Sequence, residues 1–174
     1  MDLMIDIETL DTKNSAVVAQ IGWCVFDHKA IITYSSRVMA IQEQLDMGRT
    51  ISESTLMWWM GQPEEARKRV FLFHSKFSLS GVKEDLQDVI REREVDRVWA
   101  HGPHFDLAIM KDFMGDGLFH YRSPRDTRTL ADLSPQSVKP EPTVKHDAGE
   151  DALAQAKWVQ NIWRDIGWPH GWGK

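Results

Sequence analysis

The sequence predicts an α/β fold, a mixed sheet covered by helices. Residues 2–39 break into three apolar strands with short links, the pattern of an antiparallel meander. Residues 41–93 turn to helical spacing, and a short strand at 97–100 then precedes further helices.

Asp2 to Ile7 reads as the first strand. Leu10 to Ser15 is a polar turn in which Asp11, Thr12, Lys13 and Asn14 supply the turn chemistry. Ala16 to Phe26 and Ile31 to Met39 are the next strands, joined tightly through Asp27-His28-Lys29. Helical spacing covers Ile41 to Met47 and Glu53 to Met60, the latter opened by a Ser52 cap. Pro63 starts another helix, with Glu64 and Glu65 well placed for its dipole. Ser80 or Gly81 begins an amphipathic helix to about Arg93, with Val82, Leu86, Val89 and Ile90 on one stripe. After the Arg97 to Ala100 strand, His104 to Met114 is helical and Gly115 closes it. Asp126 caps a helix over Thr127 to Leu133, the proline-bearing stretch Ser134 to Lys145 is a loop, and Asp147 to Ile166 is the last long helix. No repeat or linker divides the chain, which reads as a single domain over residues 1–174.

Apolar residues make up 42% and charged residues 27%, the balance of a folded domain rather than a disordered chain. A net charge of −5 provides no general basic surface, so a nucleic-acid partner would be held by a local site and by metal ions. Cys24 is the only cysteine, which excludes an intramolecular disulfide and, among apolar neighbours, reads as a buried thiol. No leader-like or membrane-spanning stretch is present, so the expectation is a cytoplasmic protein with no membrane association.

Chemistry concentrates in a few carboxylates. Asp6 and Glu8 lie two apart in an apolar strand, so both point to one face. Paired acids there repel and resist burial unless a cation joins them, and oxygen ligands favour a hard ion such as Mg²⁺ or Mn²⁺. The bland alternative is that they leave the strand and cap the next turn. Asp106 falls in the first turn of a helix that begins beside the sheet, where the helix dipole alone is reason enough for an acid. His101 and His104 flank a Gly-Pro turn, a spacing unlike the usual zinc patterns. Asp147 and Glu150 form a capping-box pattern. Asp151 lies one turn in, and Ala152, Ala154 and Ala156 let that helix approach the sheet and carry Asp151 towards the first strand. His146 precedes the same helix, either facing this cleft as a general base or lying on the surface at a loop–helix joint.

The ordered set Asp6-x-Glu8, Phe105-Asp106 after a short strand, and His146 with Asp151 five residues on resembles the three motifs of the DEDD exonuclease superfamily, in its DEDDh branch. The match runs from residue 4 to about residue 156. Thr9-Leu10, Trp58-Trp59 and the Gly102-Pro103 turn resemble most the small phage and bacterial 3′–5′ exonucleases. The resemblance implies an RNase H-like fold: three antiparallel strands plus parallel strands, with helices on both faces. It implies 3′→5′ release of nucleoside 5′-monophosphates from single-stranded RNA or DNA. Asp6, Glu8, Asp106 and Asp151 would hold two divalent ions, Mg²⁺ or Mn²⁺, and His146 would be the general base. One departure is that Gly102-Pro103 stands where many members carry an asparagine before the Phe-Asp pair, so the contact that orders that motif is either absent or supplied by His101 or His104.

The resemblance also marks Thr9, Leu10, Phe105 and Trp59 as substrate-binding candidates. Leu10 reads equally as a turn residue tucked into the core, and Trp58-Trp59 either as a stacking face or as core packing. Arg122, Arg125 and Arg128 read as phosphate contacts or as solvated surface. Trp163, Trp168 and Trp172, beside Pro169 and Gly171, suggest a homo-oligomer surface. Two other functions compete: a non-catalytic nucleic-acid-binding module of the same fold, and a metal-dependent mononucleotide phosphohydrolase.

Overall fold

A computed structural model describes residues 1–72 and 76–168. β1 (Asp2–Thr9), β2 (Val18–Phe26) and β3 (Ile31–Val38) form the expected antiparallel meander. Four helices follow, α1 (Ile41–Asp46), α2 (Glu53–Met60), α3 (Glu64–Phe71) and α4 (Leu79–Glu92). β4 (Arg97–Ala100), α5 (Asp106–Met114), β5 (Pro124–Asp126), α6 (Thr127–Ala131) and α7 (Ala148–Asp165) complete the described chain. Among the described residues the sheet has the order β3-β2-β1-β4-β5, and β1–β4 and β4–β5 are parallel.

The alternation of β1 divides the core. Leu3, Ile5 and Ile7 enter one apolar cluster with residues of α4 and α5, whereas Met4 enters the cluster beneath α7. Asp6 and Glu8 continue the Met4 face, so strand periodicity aims both acids towards α7. Asp2 anchors the other end of the strand. It accepts from Arg97 Nε at 2.7 Å and Nη2 at 2.8 Å, and from Trp99 Nε1 at 2.7 Å, tying β1 to β4.

Several details depart from the sequence expectation, among them that β1 runs on to Thr9 and β2 starts only at Val18. β5 is a three-residue strand containing Pro124, too short for a periodicity to register. α4 starts at Leu79, because Ser78 rather than Ser80 accepts from the Gly81 N–H. α5 starts at Asp106, because the Gly102 carbonyl takes the Phe105 N–H and holds residues 102–105 in a turn. α6 stops at Ala131 rather than Leu133.

Among the described residues, Trp158, Trp163 and Trp168 all pack in or against the core beneath α7. Trp163 is buried, stacks on Phe26 and meets Trp99 edge-on, while Trp168 packs against the same cluster. Trp158 donates to the Ser137 carbonyl and fastens the 134–145 loop to α7. Trp163 therefore belongs to the chain's own core, while Trp168 stays partly accessible. Pro169, Gly171 and Trp172 lie outside the described residues. Cys24 is fully buried, and burial pushes its thiol up to about 12. Among the described residues no helix is long and apolar enough to cross a membrane.

Candidate metal centre

The site forms where α7 comes down onto the sheet. Gly22 of β2 pairs with Asp6, and a Cβ built there would lie 2.0 Å from the Ala148 backbone carbonyl. Only glycine permits that approach. Gln20, paired with Glu8, is buried and accepts the Ala148 N–H at 2.9 Å, so the helix start is hydrogen-bonded to the strand. Asp147 caps α7 by accepting from Gly149 and Glu150 N–H. The reciprocal half of the expected capping box is absent from this arrangement, since the Asp147 N–H points to the Val144 carbonyl.

This descent brings Asp151 to β1. Carboxylate oxygens of Asp6, Glu8 and Asp151 lie within 4.8 Å of one another, with the side chains only partly accessible. Asp106 joins from the start of α5, and its charge is among those acting on both Asp6 and Glu8. Burial is the largest influence on all four. It pushes Asp6 and Glu8 well above the usual carboxylate range, with the neighbouring acids adding to the effect. Asp106 is raised to about 7, against the opposing pull of the Ile7 N–H, its own N–H and Arg128. Asp151 is raised less freely, because Lys139 and the His146 N–H favour its charged form.

Four oxygen-donor side chains that resist ionisation together are the donor set of a hard divalent cation, which would relieve both repulsion and desolvation. The site also holds an unpaired acceptor. Gln155 of α7 donates Nε2 to Asp6 Oδ1 at 2.7 Å, while its buried Oε1 has no partner among the described residues. The residues fit a divalent ion. Lys139 faces the same cluster with a side-chain cation, its Nζ 3.6 Å from Asp151 Oδ1.

His146 stands at the mouth of this cluster. Its backbone N–H donates to Asp151 Oδ2 at 2.9 Å, and its Nδ1 lies 4.0 Å from Glu8 Oε1. The backbone there is left-handed, φ 62°, which a residue without glycine's freedom adopts only under constraint. Trp58 packs edge-on against the imidazole at 4.9 Å between ring centres. A pocket of about 280 Å³ opens beside it, lined by Lys139, Pro140, Glu141, Pro142, Lys145, His146 and Asp151.

The expected substrate contacts divide. Trp59 is 3% exposed and spends its indole N–H on the Thr9 carbonyl at 2.9 Å, so it has no free stacking face. Trp58, 45% exposed, is the available ring of the pair. Leu10 is buried with Val17, Ala19 and Val70, which settles its side chain in the core. Thr9 is also buried, and its hydroxyl donates to the Asp11 carbonyl. Phe105 is 36% exposed at the start of α5, so its ring is free to meet a ligand. His101 and His104 join no metal cluster among the described residues. His101 instead shares a 2.9 Å hydrogen bond with Thr127 and connects the turn before α5 to α6. Arg122 donates to the Tyr121 hydroxyl and Arg125 to nearby carbonyls, so both hold their own loop; Arg128 faces Asp106 electrostatically. Gly22, Gln20, Lys139 and Gln155 were not singled out by sequence, and the i+4 spacing of Gln155 from Asp151 was the one available signal.

Comparison with known proteins agrees with this geometry. The model of a family described as the 3′-5′ exoribonuclease Rv2179c-like domain matches residues 1–163. An exodeoxyribonuclease of Enterobacteria phage T4 is 27% identical over 127 residues, 66% of this chain and 56% of that protein. The match thus spans little more than half the length of that relative. Among solved structures, Exonuclease X in complex with 5′ overhanging duplex DNA has a TM-score of 0.59 at 20% identity, covering 97% of this chain and 95% of that one. Cell-death related nuclease 4 has a TM-score of 0.55 at 14% identity, over 95% and 64% of the respective chains. At these identities the two structures establish the fold, which is RNase H-like as the motif order implied.

Proposed function

Because the chain belongs to the 3′-5′ exoribonuclease Rv2179c-like domain family, we propose that it hydrolyses single-stranded RNA or DNA from the 3′ end and releases nucleoside 5′-monophosphates. The observation that carries this reading is the gathering of Asp6, Glu8 and Asp151 within 4.8 Å, with His146 Nδ1 4.0 Å from Glu8. Asp6, Glu8, Asp106 and Asp151 would hold two Mg²⁺ or Mn²⁺ ions, whose chemistry there would be to lower the pKa of water and to stabilise charge on the reacting oxygens.

The chain's own groups do the rest. His146 accepts the proton of the attacking water, and Trp58 limits the swing of its imidazole by packing on its edge. The terminal phosphodiester enters beside Lys139, whose ammonium offers a phosphate contact once the carboxylates are occupied. Trp58 and Phe105 present exposed rings for the last bases. Trp59 and Leu10 support this mouth from behind, since both are core residues. The substrate is a polyanion and the protein carries −5 overall, and two divalent ions would neutralise the four carboxylates and let a phosphate approach them.

The names of the relatives divide between ribose and deoxyribose, and both polymers belong in the test. Purified protein is incubated with 5′-labelled single-stranded RNA and DNA in Mg²⁺, Mn²⁺ or EDTA. A metal-dependent ladder shortening from the 3′ end is expected, and Asp106→Ala should abolish most of it while the protein stays folded. Full activity in that variant overturns the assignment. Tight oligonucleotide binding without cleavage indicates a binding module, and cleavage of mononucleotides alone indicates a phosphohydrolase.

A further inference from the structure

Gln155 is an unusual neighbour for a carboxylate cluster. It is 2% exposed, on α7 one turn beyond Asp151, so one helix face carries both a member of the acidic cluster and this amide. Its Nε2 donates to Asp6 Oδ1 at 2.7 Å, which favours the charged form of Asp6 against the burial that opposes it. The same amide leaves Oε1 buried without a partner among the described residues. An amide in that position would ordinarily turn to pair its acceptor. With Asp6 ionised, the form that holds a cation, turning it would set Oε1 against the carboxylate, two acceptors with no proton between them. The donor orientation is therefore fixed by Asp6, and the unpaired acceptor is its consequence.

We propose that Gln155 is a positioning residue of the ion site: Nε2 holds Asp6 Oδ1 so that Oδ2 is presented to the ion, and Oε1 accepts from a water bound beside Asp6. The inference rests on the metal-centre reading above. It explains why a polar side chain occupies a helix face otherwise built from Ala152, Ala156 and Val159. Histidines that hold metals are oriented by outer partners in the same way, and loss of such partners weakens metal binding about 10- to 100-fold.

The experiment is a Mn²⁺ binding isotherm on the full chain, comparing wild type, Gln155→Met, Asp6→Asn and the double variant. Methionine keeps the volume and removes both hydrogen-bonding groups. Gln155→Met should bind Mn²⁺ about 10- to 100-fold more weakly, and saturating Mn²⁺ should restore most of its hydrolysis. In the Asp6→Asn background the same substitution should change the affinity by less than about twofold, because its effect runs through Asp6. Equal affinity of wild type and Gln155→Met overturns the proposal, as does a full additive loss in the double variant. If Gln155→Met does not fold, the side-chain amide resonances of Gln155 in wild type decide between the outcomes. They should shift saturably with Mg²⁺, and unchanged signals overturn the proposal. Gln155-dependent Mn²⁺ binding without hydrolysis would remove the exonuclease reading and leave the positioning role standing. A wild type that binds no Mn²⁺ removes both.

Discussion

His146 and Lys139 divide the two oxygens of Asp151 between them. The His146 N–H takes Oδ2, and the Lys139 ammonium lies 3.6 Å from Oδ1. Removing each should have a different signature. His146→Ala should lower the turnover rate about 10²- to 10⁴-fold, with Mn²⁺ affinity nearly unchanged, as read by single-turnover kinetics beside a binding isotherm. Equal loss of both would make His146 a structural clamp. Lys139→Met removes a cation that competes with divalent ions. Mn²⁺ should then bind about fivefold more tightly, the equivalent of about 1 kcal/mol for a partly screened ion pair. Weaker binding would assign Lys139 to holding the loop instead. Asp6, Glu8, Asp106, Asp151 and His146 were legible in the sequence because their chemistry depends on residue type and order along the chain. Gln155 and Lys139 were not, because their roles come from where α7 and the 134–145 loop are placed in space.

The placement of α7 depends on β2 as much as on the helix's own alanines. Ala152 and Ala156 were visible as small residues, but the opposing Gly22 reads in sequence as an ordinary weak point in a strand. Its role appears only with the register that sets it opposite Asp6 and beneath Ala148. A methyl group at 2.0 Å from backbone atoms cannot be absorbed by a side-chain rotation. Gly22→Ala should therefore destabilise the protein by about 3 kcal/mol or more and abolish Mn²⁺ binding by lifting Asp151 from β1. Denaturant unfolding with and without Mn²⁺ measures both, and a stable, metal-binding variant would contradict the close packing of α7 on β2. α1 shows the same dependence on tertiary placement. Buried Gln44 accepts from the Val18 N–H at 2.8 Å and donates to the Val18 carbonyl at 2.7 Å, beside the register shift between Glu8 and Thr9. Its spacing predicted a helix, but not that one side chain would complete the strand's hydrogen bonding.

Taken together, the four acids make the metal-free protein sensitive to pH. Unfolded chains release the Asp106 proton near the usual 3.8 and the folded protein near 7, and Asp6, Glu8 and Asp151 are raised as well. Within that window the folded state holds more protons than the unfolded state, so stability falls as pH rises. In EDTA the melting temperature should be higher at pH 5.5 than at pH 8, and Mn²⁺ at pH 8 should remove the deficit; the opposite order would contradict the crowding. The fold was legible as a whole because the three-strand meander follows from short-range periodicity and the family resemblance implied the parallel strands beside it. The short β5 and the burial of Trp163 follow from long-range packing that no local pattern encodes. The central claim is that this fold assembles a divalent-metal centre at the start of α7. Anomalous diffraction from crystals equilibrated with Mn²⁺ tests it most directly. Mn²⁺ peaks are expected in contact with Asp6, Glu8 and Asp151, with Asp106 completing the site. Peaks only elsewhere, or none among these carboxylates under conditions that support hydrolysis, would contradict it.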